Sequence, residues 1–270
     1  NNLTVAPNGS EKIGGIAQNA ILNTEGQSVT FVYVDGTEGW KNVQDSTSNV
    51  TGSPFLQATG GTITTCGNCK IHTFTGPGTF CVSSISTNCA AENTVSHLVI
   101  AGGGGGVAQG GAGGAGGFRE VKSPLTPYTA SPLDGYPSAP NRITVTAAAF
   151  PITVGAGGGA GPETNGSNSV FSTITSAGGG STQGGGPQNG STGGSGGGGS
   201  GSVPGSPTGS GGAGNTPPVS PPQGNSGGDA GSSLLSGGGG GAGGSGTNVS
   251  GPTGGPGGNG VATSITGSSV

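Results

Sequence analysis

Short runs of β-branched and aromatic residues recur along the first hundred positions, separated by segments rich in Gly, Asn, Asp and Thr. The clearest run is residues 28–34, which has turn-forming residues on both sides, at 23–27 and 35–39. Residues 40–44 form the next run, and residues 20–22 supply an earlier one. Apolar runs of this length bounded by turn residues are typical of β-strands. We therefore predict a β-meander of three short strands.

A second hairpin is predicted around residues 75–78, where the sequence Thr-Gly-Pro-Gly favours a turn. Residues 70–74 and 79–83 flank this turn and have the composition of strands. A further strand is predicted over residues 95–100, and it leads directly into the glycine run 102–106.

From residue 97 onward the strand-like runs continue, and all but the last are followed by a tract of glycine. Twelve of the 68 glycines lie in the first hundred residues, and the other 56 lie after them. The runs that precede glycine tracts are residues 97–100, 150–154, 169–175 and 233–235. Residues 261–266 end the chain without such a tract, and we interpret the last repeat as truncated.

The conformation of the glycine tracts is constrained by their spacing. A collagen triple helix needs glycine at every third position throughout. Here that phase occurs only in short stretches, one of which is residues 251–262, and residues 215–222 contain no glycine. We therefore predict a bundle of polyglycine-II-type helices that bond to each other through their backbones. Almost no α-helix is expected, because each interior Gly costs up to ~1 kcal/mol relative to Ala. Residues 183–222, taken alone, have the composition of a flexible linker.

The predicted fold is thus an all-β N-terminal part followed by a glycine-rich helical bundle. We divide the chain into a shaft-like β-meander at 1–60, a hairpin connector with four cysteines at 61–101, and a glycine-rich region at 102–270. A meander of about 50 residues buries little surface by itself. We therefore expect the N-terminal part to intertwine with copies of itself, in a trimer or a dimer.

Composition excludes several classes of function. Six Lys and Arg residues in 270 cannot build the basic surface that nucleic acid requires. No apolar run reaches the about 18 residues of a membrane-spanning helix, so membrane insertion is not expected. Two His and ten Asp and Glu residues leave few groups for chemistry, so we predict neither an enzyme nor a cofactor. The chain begins without Met or a basic leader, and we interpret it as a processed chain or a fragment.

Cysteine is the one residue type with metal-binding or redox chemistry that is locally concentrated. Three interpretations stay open for these thiols: disulfides, free thiols, or a zinc site. The register of the predicted hairpin at 75–78 places Cys81 opposite His72, so a direct Cys69–Cys81 pair is not favoured. The candidate residues are Cys66, Cys69, Cys81 and Cys89.

One charged island interrupts the glycine-rich region, between Phe118 and Arg142. Its Tyr and Arg residues are types favoured in contact surfaces, so the island is a candidate recognition loop. The alternative interpretation is a cap that covers one end of the glycine-rich region. A second candidate loop spans residues 202–230. The candidate receptor contacts are Arg119, Tyr128, Tyr136 and Arg142.

Several segments resemble tail-fibre and other virion structural proteins of marine phages, including those that infect cyanobacteria. The resemblance covers nearly the whole chain, and its motifs are more specific in residues 1–100 than in the Gly/Ser tracts at 181–260. The segments that carry it are VTFVYVD (29–35) with GWKNVQD (39–45), IHTFTGPGTF (71–80), HLVIAGGG (97–104), FPITVG (150–155) and NSVFSTI (168–174). Four cysteines are more than this family leads us to expect.

The resemblance implies a structural, non-catalytic tail fibre, homotrimeric in its β shaft and glycine-rich distally. It implies a virion protein made in the host cytoplasm and displayed outside the cell, which contacts other tail proteins and a host glycan or outer-membrane protein. Two alternatives remain: a non-adhesive virion or extracellular filament component, and a glycine-rich ice-binding protein. The confinement of cysteine to residues 66–89, outside the glycine tracts, argues against the ice-binding alternative.

Overall fold

The computed structural model describes residues 3–45, 55–86, 89–107, 110–159, 163–182, 184, 186–232 and 234–269. The chain divides into two compact units, Asn1–Pro54 and Phe55–Val270. The division into segments 1–60, 61–101 and 102–270 stays a prediction. In the described ranges, no helix has the length and apolar character needed to cross a membrane.

The first unit is built from two separate antiparallel pairs. Strand β1 (Leu3–Val5) pairs with β2 (Ala20–Leu22), and β3 (Val29–Asp35) pairs with β4 (Gly39–Asp45). The predicted strands are therefore present, but the predicted meander is wrong because β2 takes β1 as its partner instead of β3. Leu3 lies opposite Leu22 in this pair, so a strand that the sequence analysis did not identify supplies the apolar partner.

The second unit begins with β5 (Gln57–Thr59), β6 (Thr62–Cys66), β7 (Cys69–Thr73) and β8 (Gly78–Ser84). The predicted pairing of 70–74 with 79–83 is wrong. Strand β7 pairs instead with β6 across a two-residue turn, where Gly67 adopts a φ of 56°. Strand β8 has β5 on one edge and a later strand, β13 (Ala149–Thr153), on the other, so no edge remains for β7.

Seven further strands lie in the described residues of the second unit. They are β9 (Thr94–Val95), β10 (His97–Ile100), β11 (Phe118–Val121), β12 (Ile143–Thr144), β13 (Ala149–Thr153), β14 (Ser169–Phe171) and β15 (Ile174–Ser176). Strands β10 and β13 confirm two of the predicted runs. The run 169–175 is a tight hairpin in which Ser172 has a φ of 54°. Residues 234–235 and 261–266 form no strand, and position 233 lies outside the described residues.

The apolar core lies against a five-stranded antiparallel sheet with the order β15-β14-β13-β8-β5. Alternate residues of β8 face this core, so Phe80 and Val82 are buried while Cys81 between them is exposed. The Phe80, Phe150 and Phe171 rings lie 6.0–6.4 Å apart, centroid to centroid. The buried core residues are Ala58, Phe80, Val82, Val99, Ile143, Val145 and Ile174.

The predicted helical bundle in the glycine-rich region is wrong. The described residues contain no α-helix, and their two 3₁₀ helices, Ala90–Asn93 and Ala139–Asn141, lie outside the glycine tracts. The tracts are instead segments that are neither helix nor strand, and each bonds to several others through backbone groups. We call this set of segments, within residues 101–261, the glycine array. The expectation of an all-β first part with little α-helix agrees with the strands described above.

The centre of the glycine array is residues 193–202, which are all buried. Gly196 donates to the Asn225 carbonyl at 2.9 Å and accepts from the Gly240 amide at 2.9 Å. A Cβ added at Gly196 would lie 1.8 Å from the Gly212 carbonyl oxygen. Side chains are thus excluded because neighbouring backbones already fill the space. The linker expectation for 183–222 is also wrong, since the described residues of this stretch donate to and accept from the array's other segments.

Candidate functional site: a loop held on the glycine array

The charged island forms a loop that leaves β11 and returns at β12. Glu120, on β11, is only 2% exposed and lies beneath this loop. Its carboxylate accepts a hydrogen bond of 2.8 Å from the Ser131 amide and one from the Thr263 hydroxyl. Its backbone carbonyl accepts from the Gly135 amide at 2.9 Å. The buried carboxylate therefore joins the middle of the loop to Thr263, just beyond the C-terminal end of the glycine-rich tracts.

Both predicted arginine contacts bond within the loop. The Arg119 guanidinium donates to the Asn141 side-chain oxygen at 2.6 Å. Arg142 donates through Nε to the Tyr136 carbonyl at 2.7 Å, and its guanidinium carbon lies 4.3 Å from the centroid of the Tyr136 ring. Burial lowers the pKa of Arg119 below its usual range. Tyr136 and Arg142 thus form a stacked pair at the end of the loop, with both side chains half-buried.

Tyr128 lies apart from that pair. Its hydroxyl donates to the Val121 carbonyl at 3.3 Å, and the Lys122 ammonium lies 5.8 Å from its ring centroid. Burial raises the pKa of Tyr128 well above its usual value, and the nearby charge of Glu120 raises it further. The structure therefore places Tyr128, Tyr136 and Arg142 on one loop, with Arg119 on the strand β11 from which the loop starts. Their polar atoms hold that loop in shape, and Leu125, 55% exposed, is its most prominent apolar side chain.

A second loop, residues 215–223, lies beside the first. The Asn141 amide donates to the Ser220 carbonyl at 2.8 Å and joins the two loops. Gln223, 1% exposed, accepts from the Ala177 amide at 2.8 Å and donates to the Pro217 carbonyl at 2.8 Å. This loop falls within the predicted segment 202–230. Together the two loops form one surface, supported from below by buried polar side chains.

The sequence analysis did not identify Glu120, Asn141 or Gln223 as important residues. All three are polar side chains buried beneath the two loops, and buried polar groups of this kind need hydrogen-bond partners. Glu120 carries one available signal, since it is an acidic residue within a strand of a region that has little charge. The two amide side chains carry no such signal, because Asn and Gln are common in exposed loops.

His97 is buried beneath the same loop. Its ring packs edge-on against Phe171 at 5.8 Å between centroids, and it borders a cavity of about 10 Å³. Among described residues the Nε2 atom has no hydrogen-bond partner, while Nδ1 lies 3.4 Å from the Val95 carbonyl. Burial lowers the pKa of His97 to about 4, with a smaller contribution from the charge of Arg119; Val95 and Asp134 act in the opposite direction.

We expect the folded protein to lose stability in acid through His97. The unfolded histidine binds a proton near its usual pKa of 6.5, whereas the folded one does so only near 4. Below pH 6.5 the unfolded state therefore holds more protons, and stability falls by about 3 kcal/mol between pH 7 and pH 4. Urea unfolding at several pH values measures this loss. His97→Gln has no such proton, so an equal fall in the variant would contradict the assignment.

All four cysteines are free thiols in the structure, and Cys69 is the least exposed of them. Cys66 and Cys69 are direct cross-strand neighbours at the end of the β6–β7 hairpin. Cys81 lies opposite Thr59 and Ala149 on its two flanking strands, not opposite His72 as expected. The described side chains include no group of three or more His, Cys, Asp or Glu suited to a metal ion. Disulfide formation stays a prediction, and Cys66 with Cys69 is the pair that the register brings together.

Comparison with known families gives one result. A family model described as a glycine-rich domain matches residues 74–270, which include the five-stranded sheet except β5, the glycine array and both loops. Comparison with curated proteins and with solved structures finds no match to the chain.

Proposed function

Because the chain belongs to the glycine-rich domain family, we propose that it is a structural fibre protein whose glycine-rich region displays a binding surface. On the resemblance stated above, the fibre is a phage tail fibre, and the surface attaches the virion to a host glycan or outer-membrane protein. No catalytic step is part of this proposal. The observation that carries it is the pair of loops held on the glycine array by the buried side chains of Glu120, Asn141 and Gln223.

The geometry of the loops supports a binding role. Binding is strongest where the contact surface is already ordered in the free protein, because less conformational entropy is then lost. The Tyr136–Arg142 stack and the bonds to Glu120 order this loop before any ligand arrives. Tyr and Arg side chains are also the types that contribute most to binding energy in protein interfaces.

The first unit supports assembly into a fibre. Several of its large apolar side chains are exposed, although its strands are too short to bury them within one copy. Exposed apolar surface of this kind is typical of contacts between chains, and we propose that a homotrimer covers it. The side chains concerned, with exposed fractions between 46% and 62%, are Leu3, Ile16, Ile21, Val32, Tyr33, Val34 and Val43.

Cell binding tests the adhesive role. Labelled full-length protein is incubated with intact marine bacteria, including cyanobacteria, and bound fluorescence is compared with that of two variants. Leu125→Ser combined with Tyr136→Ala removes exposed and stacked surface from the loop, and we expect at least about a tenfold loss of binding. Gln188→Ala, at an exposed position away from the loops, is the control.

Salt dependence separates the proposal from simple charge attraction. Because only 6% of the residues in the chain are charged, binding should change less than about threefold between 50 and 300 mM salt. A collapse over this range, or full binding by the loop variant, would overturn the adhesive role and favour the non-adhesive filament. Thermal hysteresis of the purified protein would instead favour an ice-binding protein.

A further inference from the structure

One side of the glycine array is an open groove of about 550 Å³. Three segments of the array line it, residues 112–116, 239–242 and 257–260, together with apolar side chains that include Leu98, Ile100 and Phe118. Ile100 is 53% exposed although it belongs to β10. The groove is therefore a gap bordered by glycine backbone on its sides and by apolar side chains at one end.

The backbone groups along this groove follow a regular spacing. Backbone hydrogen bonds join the neighbouring lining segments. The Ala115 amide donates to the Gly240 carbonyl at 3.0 Å, and the Gly258 amide donates to the Gly239 carbonyl at 2.9 Å. On each lining segment, two residues that lie three positions apart have backbone amides with no acceptor among the described residues. The residues concerned are Gly113, Gly116, Gly239, Ala242, Gly257 and Gly260.

The groove thus has backbone amides without an acceptor among the described residues, of the kind that elsewhere in the array bond to a neighbouring glycine-rich segment. At the array's centre, a segment lies among neighbours because its amides bond to their carbonyls and because it has no side chain where they approach. Unpaired backbone amides next to apolar surface are costly to bury without such a partner. A glycine-rich polypeptide supplies carbonyl oxygens with few Cβ atoms, so it would satisfy this row of amides.

We propose that the groove binds the outer segment, residues 254–260, of a second copy of this chain. That segment is itself rich in glycine, and Gly257 and Gly260 are exposed with amides that lack an acceptor among described residues. The same segment forms one wall of the groove, so two copies can each place it in the groove of the other around a two-fold axis. This contact extends the glycine array between molecules and does not depend on the receptor-binding role.

The structure offers a matched pair of substitutions for the test. A Cβ at Gly257 would lie 3.7 Å from the Gly239 carbonyl oxygen, which is ordinary contact, and Gly239 also lines the groove. Gly257→Leu therefore places a bulky side chain at the groove, and its Cβ makes only ordinary contact with the neighbouring backbone. A Cβ at Gly157 would lie 3.8 Å from the Gly103 carbonyl oxygen, and this residue is not part of the groove. Gly157→Leu is the control with the same chemical change.

Hydrogen exchange read by mass spectrometry on the full chain distinguishes this contact from trimer formation by the first unit. We expect peptides covering 110–117 and 237–243 to exchange at least roughly tenfold more slowly at high protein concentration than at low concentration. Gly257→Leu should abolish this difference, and Gly157→Leu should retain it. Exchange that is independent of concentration in the wild type, or protection that persists in Gly257→Leu, would overturn the proposal. A change confined to peptides of residues 3–45 would report the trimer contact instead and would also count against it.

Discussion

Alanine at position 196 is expected to destabilise the second unit by about 3 kcal/mol or more. The added methyl carbon would lie 1.8 Å from the Gly212 carbonyl oxygen and 2.5 Å from its carbon. Both are fixed backbone atoms, and neighbouring segments surround position 196 on its other sides. Overpacking of a dense interior usually costs about 1–3 kcal/mol, and here no flexible side chain is available to move. Thermal unfolding should show a midpoint about 6–12 °C lower.

The matched control for this prediction is Gly157→Ala, which we expect to change stability in the opposite direction. Gly157→Ala introduces the same methyl group where the nearest atom would be 3.8 Å away. Replacing Gly by Ala in open space reduces the freedom of the unfolded chain and stabilises by about 0.4–1 kcal/mol. We therefore expect the midpoint of Gly157→Ala to equal or exceed that of the wild type. Equal midpoints for the two variants would show that position 196 is not packed as described.

Gln223→Ala should cost about 3 kcal/mol, although Gln223 belongs to a proline-rich loop. Its side-chain oxygen accepts the Ala177 amide and its nitrogen donates to the Pro217 carbonyl, both at 2.8 Å. Truncation leaves the buried Ala177 amide without a partner, at about 1–3 kcal/mol, and removes the hydrogen bond to the more exposed Pro217 carbonyl. It also leaves a cavity at a side chain that is only 1% exposed. Denaturant unfolding measures the loss.

An exposed glutamine provides the comparison for Gln223. Gln188→Ala makes the same chemical change at an exposed position, where surface substitutions usually change stability by less than about 0.5 kcal/mol. We also expect the Ala177 amide to exchange faster in Gln223→Ala and at the wild-type rate in Gln188→Ala. If the two variants are equally stable, Gln223 does not anchor the loop.

The second unit has two kinds of internal support. The five-stranded sheet is held by an apolar core that includes Phe80 and Val82, as in other small β-proteins. The glycine array has almost no apolar side chains to bury, so backbone hydrogen bonds and close packing of main chains take that role. The stability of the array is therefore lowered more by a methyl group added at a packed glycine than by the removal of a methyl group from one of its few side chains.

The candidate site was predictable only in part. The sequence indicated the loop around Tyr128 and Tyr136, because charge and aromatic residues in a glycine-rich region stand out. It did not indicate that Arg119 bonds to Asn141, or that Glu120 lies buried beneath the loop. Those contacts join residues 11 to 143 positions apart, and no local pattern encodes a partner at that distance.

By itself, the sequence determined several of the strands and where glycine excludes side chains, but it did not indicate β1, β6 or β11. Runs such as Val29–Asp35 and His97–Ile100 have strand composition, and composition acts locally on φ and ψ. The tertiary structure alone decided the partners: β1 for β2, β6 for β7, and β13 for β8. It also decided that the glycine tracts pack as bonded segments without helices. Glycine permits many backbone conformations, so the choice among them depends on which neighbouring carbonyls and amides come within reach.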